Sequence, residues 1–365
     1  MYRKFIFASA LSLAALSFTA CSDDESDILP GPPDYELEEQ PTEGAFILKL
    51  QGKVDDGTME GEYANMVYVD LSAKQQQLVD RTSWNLGFYS GEESRVTLNQ
   101  SLSRAYSTGK VDFAAVSIVD AENENFPDIS AGMMNYPADE VISDNPNGDL
   151  NETVFGELAT DVNKSEVFLV ASEGQNKDKW LKVKVTAVEN GYHVLYGNIN
   201  DTQAKQVTVA KDPARLIVAF SLETGKVVDI PQHWDLMWSK SIALTTMPNG
   251  KRILGPSSDV VTSNRLGGVE VAEVHVDNPQ LIRETFEAFT KAGVANLEFK
   301  NNADALGTDW RLTPMPNAIA PGPRADRFYV FKDAEGNYFK LRFIHFCEED
   351  GGERGKPELE AAPLL

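Results

Sequence analysis

VYVDLSAKQQQLVDRTSWNLGFYS (residues 67–90) and LIVAFSLETGKVVDIPQHWDLMWS (residues 216–239) share one plan. Each starts with an apolar strand and a nearby Ser (Ser72, Ser221), then turns through polar residues. Each continues through a Val-Asp pair (Val79-Asp80, Val228-Asp229) to a Trp (Trp84, Trp234). Apolar β-formers alternating with polar residues, between turns rich in Gly, Asn and Asp, are the pattern of half-buried strands. A second pair of stretches follows in the same order. EVFLVASEGQNKDKWLKVKV (166–185) and RFYVFKDAEGNYFKLRF (327–343) each read as a hairpin around a Gly-containing turn. The tryptophans lie 150 residues apart (84 to 234) and the hairpins 161 apart (166 to 327). The spacing predicts two tandem β units, 45–200 and 205–365, meeting within NINDTQAKQ (198–206). Chance likeness between β-rich segments is the competing reading.

Further runs, AFILKLQGKV (45–54), NMVYVDLSA (65–73) and GKVDFAAVSIV (109–119), also read as strands. Only NPQLIRETFEAFTKAG (278–293) has helical spacing, with Leu281, Ile282, Phe286 and Phe289 on one face, Asn278 as cap and Gly293 as stop. The expected class is all-β, mainly antiparallel, with one short helix.

Hydrophobic residues make up 42% of the 365 residues and charged residues 24%, the balance of a folded globular chain. Asp plus Glu number 56 against 33 Lys plus Arg, a net charge of -23. That excess repels phosphates, so nucleic acid and anionic lipid surfaces are not expected partners. No nucleophile elbow, phosphate-binding Gly-rich loop or HExxH pair appears, and no carboxylate pair stands out, so no enzyme is expected. DNPNGDLNE (144–152) has oxygen ligands like a calcium loop but departs from the EF-hand spacing, and a solvated loop is the plainer reading. Trp180, Trp238 and Tyr89 are sugar-stacking candidates if exposed, and core residues otherwise.

The N-terminus, MYRKFIFASALSLAALSFTA (1–20), has Arg3 and Lys4, an apolar run and small residues before Cys21. It reads as a signal peptide. The Thr19-Ala20-Cys21 junction resembles a bacterial lipobox, with Phe18 where Leu is usual, which implies lipidation of Cys21. Residues 22–44 carry nine acidic residues, four prolines and no Lys or Arg, the composition of an extended tether. An acidic stretch after a lipidated Cys resembles a surface-export signal. It implies an outer-membrane lipoprotein on the cell surface, held by its lipid anchor. A tether facing the periplasm is the alternative. With Cys21 lipidated, Cys347 is the one remaining thiol and reads as a small buried hydrophobe.

The second unit carries a closer likeness. KQVTVAKDPARLIVAFSLETGKVVDIPQHWDLMWSKSIALTT (205–246), with Gly225-Lys226, Val227-Val228 and Trp234-Asp235, resembles the opening of HmuY-like proteins, haem-binding surface lipoproteins of Bacteroidetes. RFYVFKDAEGNYFKLRF resembles their closing hairpin, and the first unit repeats the pattern more faintly. The resemblance implies two tandem HmuY-like β domains that capture haem or a related porphyrin and hand it to a TonB-dependent outer-membrane receptor. It also implies two axial ligands, His or Met, on opposite faces of the iron, because either side chain serves as a haem donor. Met315, in DWRLTPMPNAIAPGPRADR between Pro314 and Pro316, falls where the resemblance puts one ligand. His275 is the candidate for the other, with the loop pair Met133-Met134 as weaker candidates. Met247, before Pro248-Asn249-Gly250, is with His275 the nearest choice in the chain, whereas His193, His233 and His345 read as structural. The alternative is the same fold serving as a surface binder of a glycan or protein, without haem.

Overall fold

The computed structural model describes residues 41, 44–58, 61–131, 134–136, 142–246, 250–312, 322–350 and 352–365. In the first half the strands are β1 (Phe46–Lys49), β2 (Asn65–Asp70), β3 (Gln75–Asp80), β4 (Leu86–Tyr89), β5 (Val96–Leu98), β6 (Ser103–Ser107), β7 (Met134–Tyr136), β8 (Val167–Ser172), β9 (Leu181–Val188) and β10 (Gly191–Asn198). The second half adds β11 (Lys205–Ala210), β12 (Ile217–Ser221), β13 (Lys226–Val228), β14 (Leu236–Thr246), β15 (Arg252–Ser263) and β16 (Glu270–His275). It ends with β17 (Arg311–Leu312), β18 (Gly322–Pro323), β19 (Arg327–Lys332), β20 (Tyr338–His345) and β21 (Glu358–Pro363). The helices are α1 (Ile118–Ala121), α2 (Ile282–Ala288) and α3 (Lys291–Val294). The described strands pair antiparallel, so the protein is all-β with little helix.

Four sheets stack in sequence. Sheet I runs β1-β21-β20-β19-β16, sheet II β3-β2-β14-β15-β7, sheet III β13-β12-β4-β5 and sheet IV β11-β10-β9-β8-β6; β17 and β18 form a separate pair. Strand alternation explains the stacking. On β2, Val67 and Val69 face sheet I beside Leu236 and Trp238, while Met66 and Tyr68 face sheet III beside Met237. On β12, Val218 and Phe220 face sheet IV, while Ile217 and Ala219 face sheet II. Because both faces of sheets II and III are covered, β2 and β12 read as near-continuous apolar runs.

Each sheet contains strands from both halves of the chain. The tandem division at 198–206 therefore does not separate two bodies; it falls in the turn of the β10–β11 hairpin, whose strands pair from Gly191–Ala210 to Tyr196–Lys205. The exchange is reciprocal. β14, from the second half, pairs with β2 (Leu236 with Val69), and β4, from the first, pairs with β12 (Phe220 with Leu86). Two matched side chains hold these junctions. Asn85 Oδ1 accepts from the Leu222 amide at 2.8 Å, and Asp235 Oδ2 accepts from the Leu71 amide at 2.7 Å. Both residues directly follow the repeated tryptophans, Trp84 and Trp234. The hairpins that receive them turn through left-handed residues, Lys74 (φ 54) and Gly225 (φ 70).

Two local expectations need adjustment. The run 109–119 is not a strand: Asp112 caps a 3-10 turn at Phe113–Ala115, and a Ser117–Asp120 capping box starts α1. Its apolar residues Phe113, Val116 and Ile118 instead cover the outer face of sheet IV. The helix expected over 278–293 is split. Asn278 caps as read, α2 buries Ile282 and Phe286 on sheet I, and extended backbone at Phe289 (ψ 123) ends it before α3. Lys340 of β20 completes that end, its Nζ donating to the carbonyls of Phe286 (2.5 Å), Glu287 (3.0 Å) and Phe289 (3.0 Å).

Candidate functional site

The long hairpin β14–β15 organises one end of the molecule. β15 carries β7 on its outer edge, Leu254 opposite Met134 and Arg252 opposite Tyr136. Further along, β15 holds the base of the loop that contains Met315. Arg311 Nη2 donates to the Ser258 carbonyl at 2.6 Å, and Trp310 Nε1 donates to the Asp259 carbonyl at 2.8 Å. Arg311 pairs with Pro323 and Leu312 with Gly322, so the two ends of segment 313–321 are closed against each other. From Leu254 to Ser258 is four residues, about 13 Å of strand. Two segments some 180 residues apart in sequence are thus fastened to neighbouring points of one strand.

A bulge re-aims β15 at the lower of these points. Ser239 pairs with Val260 and Ser241 with Ser257, so Ser258 and Asp259 both oppose Lys240. Asp259 takes a left-handed conformation (φ 57), and its carboxylate is fully buried. Arg354 Nη2 lies 2.6 Å from Asp259 Oδ2, Arg311 Nε 3.8 Å and the Tyr63 hydroxyl 3.5 Å. The Arg354 guanidinium stacks over Phe346 at 4.5 Å, and Trp310 packs on Phe343 at 4.1 Å between centroids. Burial pushes the Asp259 carboxyl up, against the pull of the two arginines. Burial likewise lowers Arg311, with Asp259 opposing. The result is a base with a buried carboxylate, a buried Arg311 guanidinium and a partly exposed Arg354 guanidinium. Nothing in the sequence pattern marked Asp259, Arg311 and Arg354 as a cluster, because 43 and 52 residues separate them.

The residues singled out from sequence fall in different places. Met315 and Met133 lie outside the described residues, as do Met247 and Cys21 with the signal and tether segments before residue 41. Met134 sits in β7 by its backbone. His275 ends the edge strand β16 with an exposed ring, its Nε2 4.0 Å from an Asp277 carboxylate. No other candidate ligand among the described residues is placed beside it. His345 Nδ1 is 3.4 Å from Glu358 Oε2, and His193 is half-buried on β10. Among the described residues no three His, Cys, Asp or Glu side chains group as a metal site. The loop 144–152 is knit to itself instead: Glu152 Oε2 accepts from Asn145 Nδ2 and Asn147 Nδ2, each at 2.8 Å, and Asp144 is buried, accepting from the amides of Leu98 and Val154. Trp180 and Trp238 are fully buried, which removes both as sugar platforms. Cys347 is half-buried, and burial pushes its thiol up.

A family model described as HmuY protein matches residues 62–360 in one continuous stretch across all four sheets. The chain belongs to the HmuY family. No curated protein and no solved structure matches it. HmuY is a haem-binding family and not an enzyme family. No described helix is long and apolar enough to cross a membrane.

Proposed function

We propose that this HmuY-family chain is a cell-surface lipoprotein that binds haem or a related porphyrin and passes it to a TonB-dependent receptor. Lipidated Cys21 and the acidic tether hold it at the outer membrane. Met315 is one axial ligand. Met133 or Met134 is the other, in preference to the exposed His275. The observation that supports this is the attachment of both methionine-bearing segments to β15, through β7 at Leu254 and through the Arg311–Ser258 contact. Bound haem iron supplies the coordination chemistry; the chain supplies thioether donors, which as soft ligands favour the reduced metal. In a chain of net charge -23, the hairpin end also carries Lys251 and Arg252, cations suited to propionates.

Haem titration of the purified protein, read in the oxidised and reduced states, tests the proposal. A saturable Soret shift at one haem per chain is expected. Met315→Ala and the double change Met133→Ala, Met134→Ala each weaken it and alter the band, while His275→Ala leaves it unchanged. No shift at tens of micromolar haem, or loss only with His275→Ala, overturns the assignment.

A further inference from the structure

An open recess of about 430 Å³ lies where strands of sheets II and IV approach each other. Arg104 of β6 and Ser172 of β8 line it from sheet IV, and Lys240 and Ser241 of β14 from sheet II. Arg81, just past β3, and Glu173, just past β8, complete its charged wall. We propose that this recess binds a small molecule through an oxyanion group, a carboxylate or phosphate, for which the Glu173 carboxylate is the chain's own stand-in.

Arg104 carries the argument. Its side chain is 3% exposed, yet among the described residues it donates no hydrogen bond. Its ionic partner there is Glu173, with Nη2 4.0 Å from Oε2, beyond hydrogen-bond reach. A buried charge is normally both paired and hydrogen-bonded. A guanidinium also presents a planar fork that grips carboxylate or phosphate oxygens in pairs. Lys240 Nζ lies 3.3 Å from the same Glu173 oxygen, so one carboxylate oxygen draws two cations to one spot. Burial lowers the Arg104 guanidinium, and the Glu173 charge opposes that shift. Arg81 is fixed in the wall by donating to the carbonyls of Tyr63 and Ser101, at 2.8 and 3.0 Å.

Glu173 holds that place weakly. It sits at the turn leaving β8, just before Gly174 (φ 69), and its side chain is 38% exposed. An ion pair so open to water contributes little, so Glu173 gives way readily to a ligand oxyanion. A ligand that reaches Arg104 at hydrogen-bond distance makes the charge-assisted contacts that Glu173 does not. Ser172 and Ser241 place hydroxyls along the same wall for the ligand's other oxygens. In a chain of net charge -23, a wall with three cationic side chains attracts anions that the molecule as a whole repels.

The test titrates the full chain, without haem, with sodium succinate and with sodium phosphate, against sodium chloride at equal ionic strength. NMR reads the Arg104 side-chain N–H and the backbone amides of Ser172 and Lys240. Saturable shifts there are expected in the millimolar range, and the anion that binds more tightly names the group. Chloride does not reproduce them. Glu173→Gln removes the stand-in and tightens binding about tenfold, the value of one charge-assisted contact. Arg104→Gln, checked for native near-UV dichroism, abolishes binding. Any of three results overturns the proposal: no saturable shift with either anion, shifts that chloride reproduces, or a Glu173→Gln protein that binds no more tightly. So does an Arg104→Gln protein that folds and binds as before. Haem plays no part in these titrations, so their outcome stands apart from that of the haem assignment.

Discussion

Replacing Asp235 with Asn should stabilise the protein, by an amount that grows with pH. Asp235 is buried at the junction where β14 meets β2, and its Oδ2 accepts from the Leu71 amide. Burial pushes its carboxyl from 3.8 up to about 7; the Leu71 amide pulls it back, and the charges of Asp70, Asp333 and Glu335 push it further. The other junction performs the same task with a neutral residue, Asn85, whose Oδ1 accepts from the Leu222 amide. The molecule therefore already shows that an amide fits this geometry.

The sign follows from proton linkage. In the unfolded chain Asp235 ionises near its ordinary value, whereas in the folded protein it holds its proton to about pH 7. Its protonated form contributes fully to stability below about pH 4, and that contribution falls as pH rises to about 7 and is gone above it. A shift of about three units at 1.36 kcal/mol each amounts to about 4 kcal/mol. Asn carries no proton and escapes this loss. Urea unfolding of both proteins at pH 5, 6, 7 and 8 is the assay. The advantage of Asp235→Asn should be about 1.5 kcal/mol at pH 5 and grow to about 4 kcal/mol at pH 8. Asp144, also buried and pushed up to about 7, titrates in both proteins and cancels from the difference. A difference that stays flat from pH 5 to 8, or a variant less stable at pH 8, would refute the reasoning.

Three other outcomes follow from the packing. Residues 45–204 and 205–365 produced separately should each lack native dichroism and regain it on mixing, because every sheet needs strands from both; native dichroism in either piece alone would count against the interleaved topology. Asp259→Ala strands the buried Arg311 guanidinium, and removes the partner of the partly exposed Arg354, and should cost about 3–5 kcal/mol in urea unfolding. A cost below about 1 kcal/mol would place that ion cluster in the class of exposed pairs. Gly52→Ala sets a Cβ 1.9 Å from the buried Trp238 ring, and overpacking of this kind should lower stability by about 1–3 kcal/mol, read from the urea midpoint.

Much of the local structure was legible without coordinates. Alternation in 67–90 and 216–239 is a property of adjacent residues, and it marks β2–β4 and β12–β14. The Gly-containing turns placed the β8–β9 and β19–β20 pairs, and Asn278 marked the start of the helical segment. Family membership was legible for the same reason, since it rests on the order of such local patterns. The site was less legible. Met134 and the base of the Met315 loop meet on β15 only through pairings between remote strands. His275 sits in an alternating strand that looks the same in sequence whether its edge is covered or open.

The sequence by itself determined that this chain forms β-hairpins, where they turn and which side chains each strand turns to a core. Only the tertiary structure decided which hairpin joins which strand. Backbone hydrogen bonds along a strand edge are nearly independent of side chains, so β2 offers the same edge to β4 of its own half as to β14 of the other. The choice falls to contacts absent from any local stretch: Asp235 reaching Leu71, Asn85 reaching Leu222, and the two apolar faces of β2 and β12 finding four sheets to fill. Reciprocal exchange satisfies both edges and both faces at once. That is why a repeat read as two neighbours folds as one interleaved stack.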